Sequence, residues 1–241
     1  MTLLLLAGSG DARRLAWRLV DCGRPVIASL AGATRQPEPL PLPLRVGGFG
    51  GREGFESYLD QAAITAVLDA THPFAARITA RTAEVCAARA LPYLRLERPA
   101  WTPDAGDDWT MIDREEEAAS HVRPGATVFL ATGRQTLAAF AGLRGCRVLC
   151  RQIDPPTAPF PFEGGEFVIG RPPFSVEREE RLFAQLGVDW IVVKNAGGEE
   201  SRSKLIAARN LGIPVLMIRR PPPVSPRVET VEAALDWVRR M

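Results

Sequence analysis

Lys194 and Lys204 are the only lysines among 30 cationic Lys and Arg side chains; all the others are arginine. Both lie around one loop, Lys194-Asn195-Ala196-Gly197-Gly198, with Ser201 just beyond it. An amine, an amide and two glycines leaving an apolar strand can hold an anion or a carbonyl group. The same residues also suit an ordinary loop followed by a solvated helix. A second set is Asp69-Ala70-Thr71-His72-Pro73-Phe74, in which His72 can donate to a carboxylate or stand beside a reacting carbon. Thr132-Gly133-Arg134 offers backbone donors, a hydroxyl and an arginine able to pair with an anion. Gly8-Ser9-Gly10 follows the opening apolar run, where glycine backbone can approach a pyrophosphate and the next helix supplies N–H groups. Arg13 takes the place of the third glycine in G-x-G-x-x-G, so this turn fits plain strand–helix packing equally well.

The end of the second strand separates two cofactor chemistries. An acid there would hold a ribose 2′-hydroxyl. This chain has none; Ser29, Thr34 and Arg35 stand there instead, a set suited to a 2′-phosphate, and Arg35 also reads as a solvated loop residue. Arg77 and Arg81 share a helix face, and Arg81 reads as a surface side chain. Gly170-Arg171-Pro172-Pro173-Phe174 can present Arg171 to an anion, with Phe160, Phe162, Phe167 and Phe174 as an apolar wall or as packing.

Several chemistries lack their residues. Four scattered cysteines and two distant histidines form no metal framework, so no metal is expected. There is no nucleophile–histidine pair, no G-x-S-x-G elbow and no Walker A loop. The net charge is +2 and aromatic residues are 7%, not interleaved with a basic stripe, so no nucleic-acid partner is expected. No apolar run approaches the roughly 18 residues of a membrane span, and the start lacks a basic leader, so no membrane association and a cytoplasmic location are expected.

The elements that must position these residues alternate strand and helix. Strands are expected at 3–7, 25–30, 66–69, 92–96, 127–131, 147–151, 189–193 and 215–218. Helices are expected at 11–21, 53–60, 74–89, 115–121, from 135, 176–186, 201–210 and 231–240. Pro- and Gly-rich stretches at 31–51 and 154–173 read as irregular. The expected fold is α/β: two Rossmann-like lobes with mostly parallel sheets and a cleft between them. The boundary is placed near Pro99, giving an NADP-binding domain at 1–98 and an α/β domain at 99–241 that completes the cofactor and substrate cleft.

Taken together, these motifs resemble the precorrin-6A reductases of cobalamin biosynthesis. The matching pieces are Leu6-Ala7-Gly8-Ser9-Gly10, Leu68-Asp69-Ala70-Thr71-His72-Pro73-Phe74-Ala75 and Ala131-Thr132-Gly133-Arg134. They continue with Ile169-Gly170-Arg171-Pro172-Pro173-Phe174, Lys194-Asn195-Ala196-Gly197-Gly198, Ser203-Lys204-Leu205 and Pro214-Val215. The glycine turn departs from the family's usual Thr, Glu and Gly, carrying Ser9, Asp11 and Ala12. The resemblance implies a monomeric cytoplasmic enzyme, with transient contacts to neighbouring pathway enzymes. It would use NADPH to reduce a macrocycle double bond of a tetrapyrrole polycarboxylate, giving precorrin-6B. Gly8, Ser9, Gly10 and Arg13 are then expected around the cofactor phosphates, and Ser29, Thr34 and Arg35 at the 2′-phosphate. Thr132, Gly133, Arg134, Asn195, Gly197 and Ser201 complete the cofactor side, and His72, Lys194 and Lys204 are the catalytic candidates. The alternatives are the cobalt-precorrin-6A reductase of the anaerobic route, a non-catalytic tetrapyrrole-binding protein, and an NADP-dependent reductase of a small substrate.

Overall fold

Leu3, Leu4, Leu5 and Leu6 are all essentially inaccessible, which marks a strand covered on both faces. In the computed structural model, which describes residues 2–32 and 39–241, they form β1 (Thr2–Leu6). Side chains alternate across a strand, so Leu3 and Leu5 pack in one core with α1 (Gly10–Leu19) and α7 (Val231–Arg240). Leu4 and Leu6 pack in another with α2 (Gly51–Gln61) and α3 (Ala76–Ala88). Each leucine so buried contributes about 1.5–3 kcal/mol. The sheet is completed by β2 (Val26–Leu30), β3 (Leu44–Val46), β4 (Ile64–Asp69), β5 (Tyr93–Leu96) and β12 (Arg227–Val228). It runs β12-β5-β4-β1-β2-β3 with every pair parallel. This is the strand order of a dinucleotide-binding sheet, and its direction of winding reverses between β1 and β4.

The second sheet holds β6 (Trp109–Ile112), β7 (Thr127–Leu130), β8 (Arg147–Gln152), β9 (Gly165–Ile169), β10 (Trp190–Lys194) and β11 (Val215–Ile218). Its order is β6-β11-β10-β7-β8-β9, again all parallel, with the reversal between β7 and β10. One face buries Phe129, Leu149, Ile191 and Met217 against α5 (Val176–Leu186) and α6 (Ser203–Leu211). The short α4 (Ala118–His121) and a 3-10 segment (Arg134–Phe140) belong to this unit as well.

The expected α/β fold is present, with sheets that are wholly rather than mostly parallel. The expected second domain ran on to 241, whereas 221–241 groups with the first half of the chain. The first unit is Met1–Pro99 with Pro221–Met241, and the second is Ala100–Arg220. Helix α7 explains this: Val231, Ala234, Leu235 and Val238 make one apolar stripe, buried in the core around Leu3 and Leu5. The helix expected from 135 is a 3-10 segment, and the helix expected from Phe74 begins at Ala76, after a turn at Pro73 and Phe74.

Candidate functional site

In the first unit the turn after β1 and the loop after β4 lie at the reversal point, where doubly wound sheets bind ligands. Gly8 has φ +139°, and nothing lies within 4 Å of where a side chain would begin. The backbone there is open to a ligand, and the first amides of α1 have no intrahelical acceptors. Ser9 caps α1, its Oγ accepting from the Ala12 amide at 3.1 Å and donating to the Ala70 carbonyl at 2.8 Å. The serine hydroxyl is therefore committed to joining the two loops. Asp11, in the first turn, is held by Arg14 and by Arg98 at 2.6 Å. Arg13 is exposed on the same turn.

Below the β4 loop lies a buried ionic network that sequence reasoning missed. Arg95 donates to Asp69 at 2.8 Å, to Glu97 at 2.6 Å and to Thr79 at 2.6 Å. Asp69 also accepts from the Thr71 amide at 3.0 Å, the Thr71 hydroxyl at 2.7 Å and Tyr93 at 3.2 Å. Burial alone would lower the Arg95 guanidinium, but Asp69 and Glu97 hold it above its ordinary value. Burial, then Asp69, push the Tyr93 phenol up. Burial and Asp69 likewise push the nearby Cys86 thiol up to about 12. The network fixes Thr71 and so the next residue, His72. The Nδ1 of His72 accepts from the Phe74 amide at 3.2 Å, which puts the proton of the neutral ring on Nε2. The available signal was an arginine inside the apolar strand Tyr93-Leu94-Arg95-Leu96.

At the carboxyl end of β2, Ser29 is buried and accepts from Arg45 at 3.3 Å. Arg45, opposite Ser29 in the β2–β3 register, lies 3.8 Å over the Phe49 ring. It is a further cation at the expected 2′-phosphate position. Thr34 and Arg35 lie outside the described residues. Arg81, expected at the surface, is half-buried and lies 5.4 Å over the Phe55 ring.

In the second unit, Leu130 pairs with Val192 on one side and Cys150 on the other. Two residues further along β10 and β8 stand Lys194 and Gln152, on the same side of the sheet and at its carboxyl end, and Thr132 follows β7 at that end. Lys194 donates to Thr136 at 3.1 Å and pairs with Glu115 at 3.3 Å. Thr132 Oγ1 and Gln152 Nε2 are both buried with no hydrogen-bond partner in the folded chain. Gln152 was not among the expected residues. Gly133, with φ +74°, has open space where a side chain would begin, and Arg134 is exposed beside it.

Asn195 has a different task from the one expected. Its side-chain amide is spent on the Trp101 backbone, accepting at 2.8 Å and donating at 3.0 Å. Trp101 Nε1 in turn donates to the Gly198 carbonyl at 3.0 Å, so the Gly197-Gly198 loop is held from both ends. Lys204 folds back onto the Ser201 carbonyl, 5.5 Å over the Trp101 ring. The structure thus sets Lys194 at the same sheet end as Thr132 and Gln152, bonded to Thr136 and Glu115, and brings Lys204 to Ser201 and Trp101. Among the described residues, no three His, Cys, Asp or Glu side chains converge as metal ligands. Also among the described residues, no helix is long and apolar enough to cross a membrane.

Comparison with known proteins adds to this geometry. The family model described as Precorrin-6x reductase CbiJ/CobK matches residues 2–239. The precorrin-6A reductase of Rhodobacter capsulatus is 41% identical over 238 residues, covering 98% of this chain and 95% of that protein. That of Rhodococcus erythropolis is 42% identical over 241 residues, covering 98% and 96%. The cobalt-precorrin-6A reductase of Priestia megaterium is 29% identical over 239 residues, covering 91% and 90%. A solved structure of a CobK precorrin-6A reductase superposes with a TM-score of 0.93 at 40% identity, covering 99% of this chain and 96% of that one.

Proposed function

The chain belongs to the precorrin-6x reductase family, and from that premise we propose that it reduces one ring double bond of precorrin-6A with hydride from NADPH, giving precorrin-6B. The observation that carries this reading is the pair of reversal points, one with an open glycine turn at a helix N-terminus and one with unpartnered polar atoms at the same sheet end as a lysine. Identities of 41% and 42% to two relatives named precorrin-6A reductase, against 29% to one named for the cobalt substrate, favour the metal-free macrocycle. Four free cysteines suit a reducing compartment, and we place the reaction in the cytoplasm. A single chain carries both sheets, so we take the monomer as the working unit.

NADPH, when bound, supplies the hydride; a proton from solvent completes the reduction, and NADP⁺ leaves. The backbone of Gly8, Ser9 and Gly10 and the first turn of α1, with Arg13, receive the pyrophosphate. Ser29 and Arg45, joined by Thr34 and Arg35, receive the 2′-phosphate. His72 donates from Nε2 to the substrate. Lys194, Thr132 and Gln152 orient the macrocycle by its polar groups, and Gly133 and Arg134 add donors beside them. Gly197, Ser201 and Lys204 form the adjoining wall, kept in place by Asn195. These residues bind and orient their ligands rather than supply a strong acid. The test is anaerobic mixing of protein, precorrin-6A and NADPH. Loss of reduced-nicotinamide absorbance and the change in ring absorbance should advance together, one for one. NADPH left unoxidised while the tetrapyrrole binds would favour a carrier instead.

A further inference from the structure

A pocket of about 370 Å³ opens beside the carboxyl ends of β8 and β9 in the second unit. One wall is a single face of α5: Arg178, Arg181, Leu182 and Gln185 follow the i, i+3, i+4, i+7 spacing. The opposite wall is the end of β9, where Val168, paired with Arg151 in the β8–β9 register, faces α5 alongside it. The floor is a buried ion pair, Arg151 donating to Glu179 through both terminal nitrogens at 2.7 and 2.5 Å. The Arg151 guanidinium also faces the rings of Phe129 at 4.7 Å and Phe174 at 4.3 Å. Gly170 lets the backbone close on Phe174, since a Cβ there would meet that ring at 3.1 Å.

The floor cancels its own charge, so the net character of the pocket is set by Arg178 and Arg181, both exposed at the rim. Apolar walls under two guanidinium groups match an aliphatic stem ending in one carboxylate. We propose that this pocket receives a carboxylate-bearing side arm from the edge of the macrocycle. Its methylenes lie on Phe174, Leu182 and Val168, and its carboxylate meets Arg178 and Arg181. This inference rests on the tetrapyrrole reading above and adds a specificity site that faces α5 rather than Lys194.

The test is the double variant Arg178→Glu/Arg181→Glu, both positions being on the helix surface. The KM for precorrin-6A should rise at least about tenfold, with the KM for NADPH and the thermal midpoint unchanged. A KM for precorrin-6A within about twofold of the parent overturns the proposal, as does an equal rise for NADPH. Should the parent itself fail to turn over precorrin-6A, the reductase reading fails, and the pocket is tested separately by titration with uroporphyrin, a polycarboxylate porphyrin. Weaker binding by the double variant then supports a carboxylate pocket, and equal binding removes it.

Discussion

Arg95 donates to Asp69 across 2.8 Å, with the two side chains 2% and 0% exposed, so the β4 loop rests on an ion pair sealed from water. Removing one partner of such a pair strands the other charge. Arg95→Met leaves both Asp69 and Glu97 buried and uncompensated. The expected loss is about 3–5 kcal/mol in urea unfolding. A loss under about 1 kcal/mol would mean that water or another cation reaches these carboxylates.

Gln152 should behave in the opposite way. Its Nε2 has no partner in the folded chain, so Gln152→Met removes a buried donor at no hydrogen-bond cost. Stability should hold or rise by up to about 1 kcal/mol. If Gln152 orients the macrocycle, kcat/KM for reduction should still fall about tenfold. A stabilised variant with full activity would assign Gln152 to packing alone.

Cofactor choice is tested at Arg45, which the structure sets against Ser29. Arg45→Ala should raise the KM for NADPH at least about tenfold and leave that for NADH nearly unchanged. Arg35→Ala should shift the same ratio if that residue shares the 2′-phosphate. Equal effects on both cofactors would place Arg45 in loop packing against Phe49.

How much of this was legible follows from the strands. The eight expected strands are the interior ones, buried on both faces and written as apolar runs. The four strands absent from the sequence reading, β3, β6, β9 and β12, are the four sheet edges. Edge strands are covered on fewer sides and here are short, lie among Pro and Gly, and expose residues such as Leu44 and Ile169, so periodicity does not mark them. The same limit hid Gln152. Its position at the end of a strand is readable, but the pairing of β7 with both β8 and β10, which brings it to the same sheet end as Lys194, is a long-range fact. Asn195 and Ser9 were found as motif residues, yet their side chains proved to serve neighbouring backbone. Residue type can flag a site; whether a side chain is already committed depends on partners far away in sequence.

Acid should loosen the second unit through Asp107. Burial pushes its carboxyl up, but hydrogen bonds from Arg209 at 2.8 and 2.9 Å outweigh this and hold it below the usual range. A depressed acid stabilises the fold above its unfolded pKa of about 3.9, and that contribution is lost as pH falls through the lower folded value. Asp107→Asn should therefore lower the thermal midpoint at pH about 7, with the gap to the parent closing near pH about 2. A gap independent of pH would mean that the variant acts by shape, not charge.

Direct hydride passage from the nicotinamide to the ring is the step on which the residue roles depend, and isotope transfer reads it most directly. NADPH carrying deuterium at the transferring position of its nicotinamide, mixed anaerobically with precorrin-6A and this protein, should give a reduced macrocycle that retains one deuterium on carbon. Repeating the reaction with unlabelled NADPH in heavy water should place solvent deuterium at the neighbouring carbon only. A product whose hydride-derived position instead carries hydrogen from solvent, or a ring left unreduced while NADPH persists, would contradict that step.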